Sequence, residues 1–236
     1  MTVTDVNVVK SAIFERPDDA NKGTLGSLLC VCGSYGMAGA AVMSAKGALR
    51  TGIGLAKCAL PRSIYPIVAQ TILESVYYPL SENADGRISK INVPFLVSES
   101  CKSSATLVGC GLGVCDDTLK IVFSLIENST TPLVLDADAL NCVAKQPEIL
   151  LRKKAPIIIT PHPGEMSRLT GLATPLVNAE RQRVALDFAQ KYGVVTVLKG
   201  AGTVIASSNG KVLVNPTGNS GMATGGSGDV LAGMTA

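Results

Sequence analysis

Toward the end of the sequence stands Gly225-Gly226-Ser227-Gly228-Asp229-Val230-Leu231-Ala232-Gly233, a glycine-rich turn running into an apolar stretch. A glycine run that opens a helix offers unpaired backbone N–H groups at the positive end of the helix dipole, an arrangement suited to phosphate. Gly226, Ser227 and Gly228 are therefore a candidate anion hole. Asp229 would stand beside the bound phosphoryl group and act as general base toward a hydroxyl that attacks it, while the N–H groups take up the spreading charge. The position equally suits Asp229 as a plain helix cap.

Three weaker signals accompany it. His162, the only histidine, lies in Thr160-Pro161-His162-Pro163-Gly164-Glu165 after a very apolar run. Glu165 suits the first turn of a helix closed by Gly171, or it orders magnesium-bound water near phosphates, since Mg²⁺ is held by few carboxylates and keeps several waters. Lys199-Gly200-Ala201-Gly202-Thr203 follows another apolar run and reads either as a phosphate-facing turn or as a hairpin with a solvated lysine. Asp136 and Asp138 straddle a strand end and a helix start, so Asp138 is expected as a cap, and Tyr35 and Met37 are expected to pack.

Short apolar runs place these residues: Leu28 to Cys32, Leu55 to Leu60, Ala105 to Val108, Leu133 to Leu135, Ile157 to Ile159 and Val194 to Leu198. They do not alternate, as expected of strands buried on both faces of a mostly parallel sheet. Helical stretches fall between them, at Ala40 to Arg50, Thr118 to Ile126 and Ala179 to Tyr192. A hairpin, Thr203 to Ala206 and Lys211 to Val214, leads into the glycine run. The order is that of a doubly wound α/β fold, in which ligands bind beyond the carboxyl ends of the strands, where all these motifs fall.

Composition narrows the class. Charged residues are 17% and the net charge is +3, which gives no basic stripe for nucleic acid. The seven cysteines form no CxxC pair, and Cys30 and Cys32 read as strand core, so a reducing, cytoplasmic setting is expected. The first residues lack the apolar core of a signal peptide. The charge-free stretch Gly23 to Ala45 is long enough for a membrane span, but its glycines and hydroxyl residues favour a strand, a turn and a helix.

Taken in order, Lys22 to Gly26, Gly33 to Ala40, Leu135 to Asn141, Thr160 to Glu165, Leu198 to Gly200 and Asn215-Pro216-Thr217-Gly218-Asn219 through Gly233 resemble the nucleotide-dependent NAD(P)H-hydrate dehydratases of the ribokinase-like superfamily. The resemblance implies a ribokinase-like α/β fold, a mostly parallel central sheet with helices on both faces, in a single domain over residues 1–236. It implies phosphorylation of the 6-hydroxyl of hydrated NADH or NADPH by ADP or ATP, with magnesium, then loss of phosphate. Asp229 would be the base, Ala40, Gly113, His162 and Asp229 would contact the hydrated dinucleotide, and Lys199, Gly200, Ala201, Gly202 and Thr203, with Gly228, the AMP moiety. Stand-alone ADP-dependent bacterial members form homotetramers, and the chain resembles those. It stops at Met234-Thr235-Ala236, two turns into the helix that Asp229 begins, so a C-terminal truncation is expected.

Three alternatives stay open. A ribokinase-like kinase would leave a phosphorylated organic product. A dinucleotide oxidoreductase would use Gly109-Cys110-Gly111-Leu112-Gly113 with Asp136 on the ribose. A nucleotide sensor would bind without turnover.

Overall fold

The computed structural model describes residues 2–4, 9–10 and 15–236. Ten strands form one sheet: β1 (Thr2–Val3), β2 (Ser27–Val31), β3 (Leu55–Pro61), β4 (Val76–Leu80), β5 (Ala105–Val108), β6 (Leu133–Leu135), β7 (Ile157–Ile159), β8 (Val195–Leu198), β9 (Thr203–Ala206) and β10 (Val212–Asn215). Their order across the sheet is β1-β10-β9-β8-β7-β6-β5-β2-β3-β4. From β2 to β8 every pairing is parallel, and β9 runs antiparallel to both β8 and β10.

The helices are α1 (Ala38–Thr51), α2 (Tyr65–Ala69), α3 (Val93–Cys101), α4 (Asp116–Asn128), α5 (Asp138–Val143), α6 (Pro163–Thr170), α7 (Thr174–Ala179), α8 (Arg181–Tyr192) and α9 (Ser227–Thr235). Within β2, Leu28 and Cys30 turn to one core and Leu29 and Val31 to the other, which is why the run is apolar throughout. The first core holds Ala41 and Ala45 of α1, Val68 of α2 and Ala232 of α9. The second holds the apolar faces of the remaining helices, from Leu96 of α3 to Phe188 of α8. Helices therefore cover both faces, as expected of the class.

Four features depart from the reading of the sequence. The edge strand β4 was not expected: it pairs only with β3, leaves Val76 exposed and carries Pro79, a residue that an edge tolerates and a central strand does not. Nor was β1, which pairs parallel with β10. The helix expected from Ala179 begins instead at Arg181, because Glu180 leaves helical geometry at φ −123°, ψ 37° and separates α7 from α8. The second strand of the hairpin begins one residue late, at Val212. Residues 23–45 fold as the expected strand, turn and helix, and among the described residues no helix is long and apolar enough to cross a membrane.

Helix α9 is set by its crossing with α1. A Cβ on Gly47 would stand 2.5 Å from the carbonyl oxygen of Val230, and one on Gly233 would collide with that of Ser44. The two backbones touch at paired glycines, and this contact fixes where α9, and with it Asp229, begins.

Candidate active site

Gly226 turns the chain into α9 with φ +89°, a conformation that favours glycine, and a Cβ there would displace the flexible tip of Met43 of α1. Among the described residues the amides of Gly226, Gly228 and Asp229 have no carbonyl partner, whereas that of Ser227 points back to Thr224 at 3.4 Å. The opening of α9 thus presents free N–H donors, with Ser227 contributing less than its neighbours. No side chain caps the helix, so the capping role weighed for Asp229 is not the one it plays.

Asp229 is half-buried, and burial raises its carboxyl above the usual value. The Cys110 thiol and Lys199 pull it back, while Asp136 and Asp138 push it up. Its carboxylate, that of Asp136 and the Cys110 sulfur lie within 4.8 Å of one another.

Lys199 is not the solvated lysine of a bare hairpin. Its side chain is 16% exposed and its Nζ donates to Asp136 Oδ1 at 2.6 Å, with Glu165 Oε2 at 3.9 Å. Asp136 is buried, and it also accepts from Thr160 Oγ1 at 2.7 Å and from the Cys110 thiol at 3.8 Å. A carboxylate so enclosed is not free for a ribose hydroxyl, which removes the dinucleotide oxidoreductase reading. The turn after Lys199 is braced by Arg181, whose Nη2 donates to the carbonyls of Leu198 and Lys199, and by Thr203 Oγ1 bonded to Gly200. A Cβ on Gly228 would stand 3.5 Å from Lys199 Nζ, so the structure brings together the two segments that the resemblance assigns to one nucleotide.

His162 caps α6. Its Nδ1 accepts from the amides of Gly164 and Glu165, which fixes the Nε2–H tautomer, and its backbone amide donates to Glu165 Oε2 at 2.7 Å, closing a reciprocal box. Burial, then Lys199 and Arg168, lower its pKa, so it stands neutral with its ring half-exposed. Glu165 is buried, and burial raises its pKa against the pull of Lys199. The helix it opens ends at Gly171, φ +75°, as the sequence predicts.

Asp138 does not cap α5. Its Oδ2 accepts from the amide of Gly113 at 2.8 Å, and the position before α5 is held by Ala137, the one non-glycine at positive φ (+49°) among the described residues. Such strain gathers at functional sites. Ala40 is buried, its Cβ facing Gly111, its amide bonded to the Met37 carbonyl at 3.2 Å and its own carbonyl to Ser44 Oγ at 2.8 Å. Tyr35 and Met37, expected to pack, are exposed at the mouth. Cys30 is strand core, as expected, Cys32 is buried in the same core but just past the end of β2, and all seven cysteines are free.

The sequence did not disclose the counter-ion of Lys199, its bond to Thr160, the thiol of Cys110 or the loop of residues 81–89. The site's carboxylates, Asp136, Glu165 and Asp229, outnumber its one lysine, a balance that suits a divalent cation with phosphates. Glu165 already has donors at Oε2, so it fits magnesium through water.

A helix opened by Gly-x-Gly-Asp, at the carboxyl ends of a mostly parallel sheet covered on both faces, defines a ribokinase-like protein. A ribokinase-like superfamily protein from Enterococcus faecalis shares the fold, with a TM-score of 0.82 at 24% identity over 99% of this chain and 78% of its own. A family model described as NAD(P)H-hydrate dehydratase matches residues 28–236, and the chain belongs to that family. It is similar to the ADP-dependent (S)-NAD(P)H-hydrate dehydratase of Neisseria meningitidis, 34% identical over 93% of this chain and 71% of that protein. An ADP/ATP-dependent NAD(P)H-hydrate dehydratase from Bacillus subtilis, co-crystallized with ATP/Mg²⁺, superposes with a TM-score of 0.83 at 31% identity over 99% of this chain and 79% of its own. The bifunctional NAD(P)H-hydrate repair enzyme of Thermofilum pendens is 41% identical over 94% of this chain, which spans 42% of that relative's length.

Proposed function

We propose that the chain is a lyase that repairs hydrated NADH and NADPH, using ADP or ATP to phosphorylate the 6-hydroxyl and then releasing phosphate. The observation that carries this reading is the half-buried Asp229 beside the free amides of α9, with Lys199 against Gly228 on the same side. Asp229 takes the proton of the 6-hydroxyl as its oxygen bonds the terminal phosphorus and the bond to the nucleotide's bridging oxygen breaks. The amides of Gly226, Gly228 and Asp229 hold the charge that gathers on the phosphoryl oxygens. The ester oxygen then leaves carbon 6 as phosphate, a proton leaves carbon 5, and the ring double bond returns. Magnesium neutralises phosphate charge when bound, and Glu165 would hold it through water.

Gly200, Ala201, Gly202 and Thr203 offer backbone to the AMP moiety, and Lys199 reaches its phosphates. Ala40, Gly113 and His162 would line the site of the hydrated dinucleotide, His162 offering it a neutral N–H donor. The homotetramer follows the stand-alone members that the chain resembles, and a cytoplasmic setting agrees with free, buried thiols. Phosphorus NMR on hydrated NADH, the chain, magnesium and ADP tests the reading: one free phosphate per nucleotide cleaved supports it. A stable phosphorylated organic product would identify a kinase instead.

A further inference from the structure

The loop of residues 81–89, which follows the edge strand β4, has no part in the reading above. It is fixed at three points. Asn83 closes it, its N–H bonded to the Arg87 carbonyl at 2.9 Å and its Oδ1 to the amides of Asp85 and Arg87. The carbonyl of Gly86 accepts the amide of Tyr35 at 2.9 Å, which ties the loop to the turn after β2. Asp117 of α4 accepts from Asn83 Nδ2 at 2.9 Å and from the Lys90 amide at 3.2 Å.

From this fixed wall Arg87 lies over Gly113. A Cβ on Gly113 would stand 2.8 Å from Arg87 Cδ and strike Nε, so the bare glycine face is the room that the arginine stem occupies, while the Gly113 amide is held by Asp138. The side chain is 31% exposed; among the described residues its ion-pair partner is Asp85 at 3.3 Å, itself 68% exposed, a pair that water screens to little, and it also reaches the Cys115 thiol. The guanidinium remains available to an anion.

Its place in the fold says which anion. Lys199 follows β8, and Arg87 follows β4 on the opposite flank of the sheet, with Gly113 after β5 between them. Asp138, which holds Gly113, acts electrostatically on Asp229. A path outward from Asp229 away from Lys199 therefore passes Asp138, Gly113 and then Arg87. A substrate that presents a ring hydroxyl to Asp229, with the nucleotide on the Lys199 flank, must lay its remainder along this path. We propose that Arg87 is a substrate-binding residue whose planar fork receives the pyrophosphate of the hydrated dinucleotide. The assignment rests on the functional reading above.

Arg87→Met keeps the apolar stem over Gly113 and removes the charge, and Arg87→Lys keeps the charge without the fork. Binding of hydrated NADH and of hydrated NADPH, each without nucleotide so that nothing turns over, is measured by calorimetry beside binding of ADP. Arg87→Met should weaken both hydrates roughly 10- to 100-fold. Arg87→Lys should recover part of that loss, and ADP affinity and melting temperature should stay unchanged. Parent-like binding by Arg87→Met, a loss confined to hydrated NADPH, or an equal loss for ADP overturns the assignment while leaving the dehydratase reading standing. Failure of the unmodified chain to bind either hydrate overturns the dehydratase reading and the assignment together.

Discussion

Asp229 and Lys199 stand out in the sequence because glycines surround them, and glycine near a charged residue signals backbone brought close to a ligand. Asp136 does not stand out, because its meaning lies in Lys199, 63 residues away, and only the closing of the sheet joins them. Asp229→Asn keeps shape but accepts no proton, so turnover should fall about 10²- to 10⁴-fold with ADP affinity little changed, as single-turnover kinetics and calorimetry would show. Burial raises the Asp229 carboxyl above its usual value near 3.8, so the folded chain holds that proton more tightly than the unfolded chain does. Ionisation then weighs against the fold above the folded pKa, and that penalty fades as pH falls from the folded value to the unfolded one and is gone below it. The asparagine variant should accordingly melt higher than the parent at pH 7, with the gap narrowing in acid; a lower melting temperature at pH 7 would contradict the burial argument. Asp136→Ala leaves a lysine enclosed without its partner and should cost about 3–5 kcal/mol in denaturant unfolding. Adding Lys199→Met should restore much of that stability and none of the activity.

The elements around the site were legible in proportion to their burial. The central strands announce themselves as continuous apolar runs, and α1, α4 and α8 by their periodicity. Strand β4 escapes because half of it faces water and a proline interrupts it, and with it escapes the loop that carries Arg87. The break between α7 and α8 escapes because Glu180 is an ordinary helix former whose conformation is set by packing rather than propensity. Why α9 points Asp229 into the cleft is also invisible locally, since Gly233 acts through Ser44 of another helix. Gly233→Ala forces the two backbones apart and should destabilise by about 1–3 kcal/mol. Because the shift displaces Asp229, its loss of turnover should exceed what the melting temperature alone explains. A variant with parent-like stability and turnover would show that the crossing does not position the base.

At the scale of the molecule, one end of the sheet gathers most of the motifs that the sequence offered: the turns after β2, β5, β6, β7 and β8 and the start of α9, with Lys22 to Gly26 at the other end, before β2. That convergence was legible, because doubly wound sheets place ligands beyond the carboxyl ends of their strands. The division of the cleft into a Lys199 flank and an Arg87 flank was not, since it depends on an edge strand hidden in the sequence. ADP bound to the folded chain alone, at ~100 times its dissociation constant, adds about 2.7 kcal/mol, so it should raise the melting temperature visibly, and no shift at millimolar ADP with magnesium would count against the nucleotide flank.

In the proposed repair reaction the cleft restores the dihydronicotinamide ring. Hydration saturates one ring double bond and abolishes the near-ultraviolet absorbance, so following that absorbance while the chain acts on hydrated NADH or NADPH reads the product directly. Absorbance should return only with nucleotide and magnesium present, one ring for each nucleotide cleaved and each phosphate freed, and Asp229→Asn should slow all three signals together by about 10²- to 10⁴-fold. Nucleotide consumed on another alcohol, with absorbance never restored from either hydrate, would contradict that reaction.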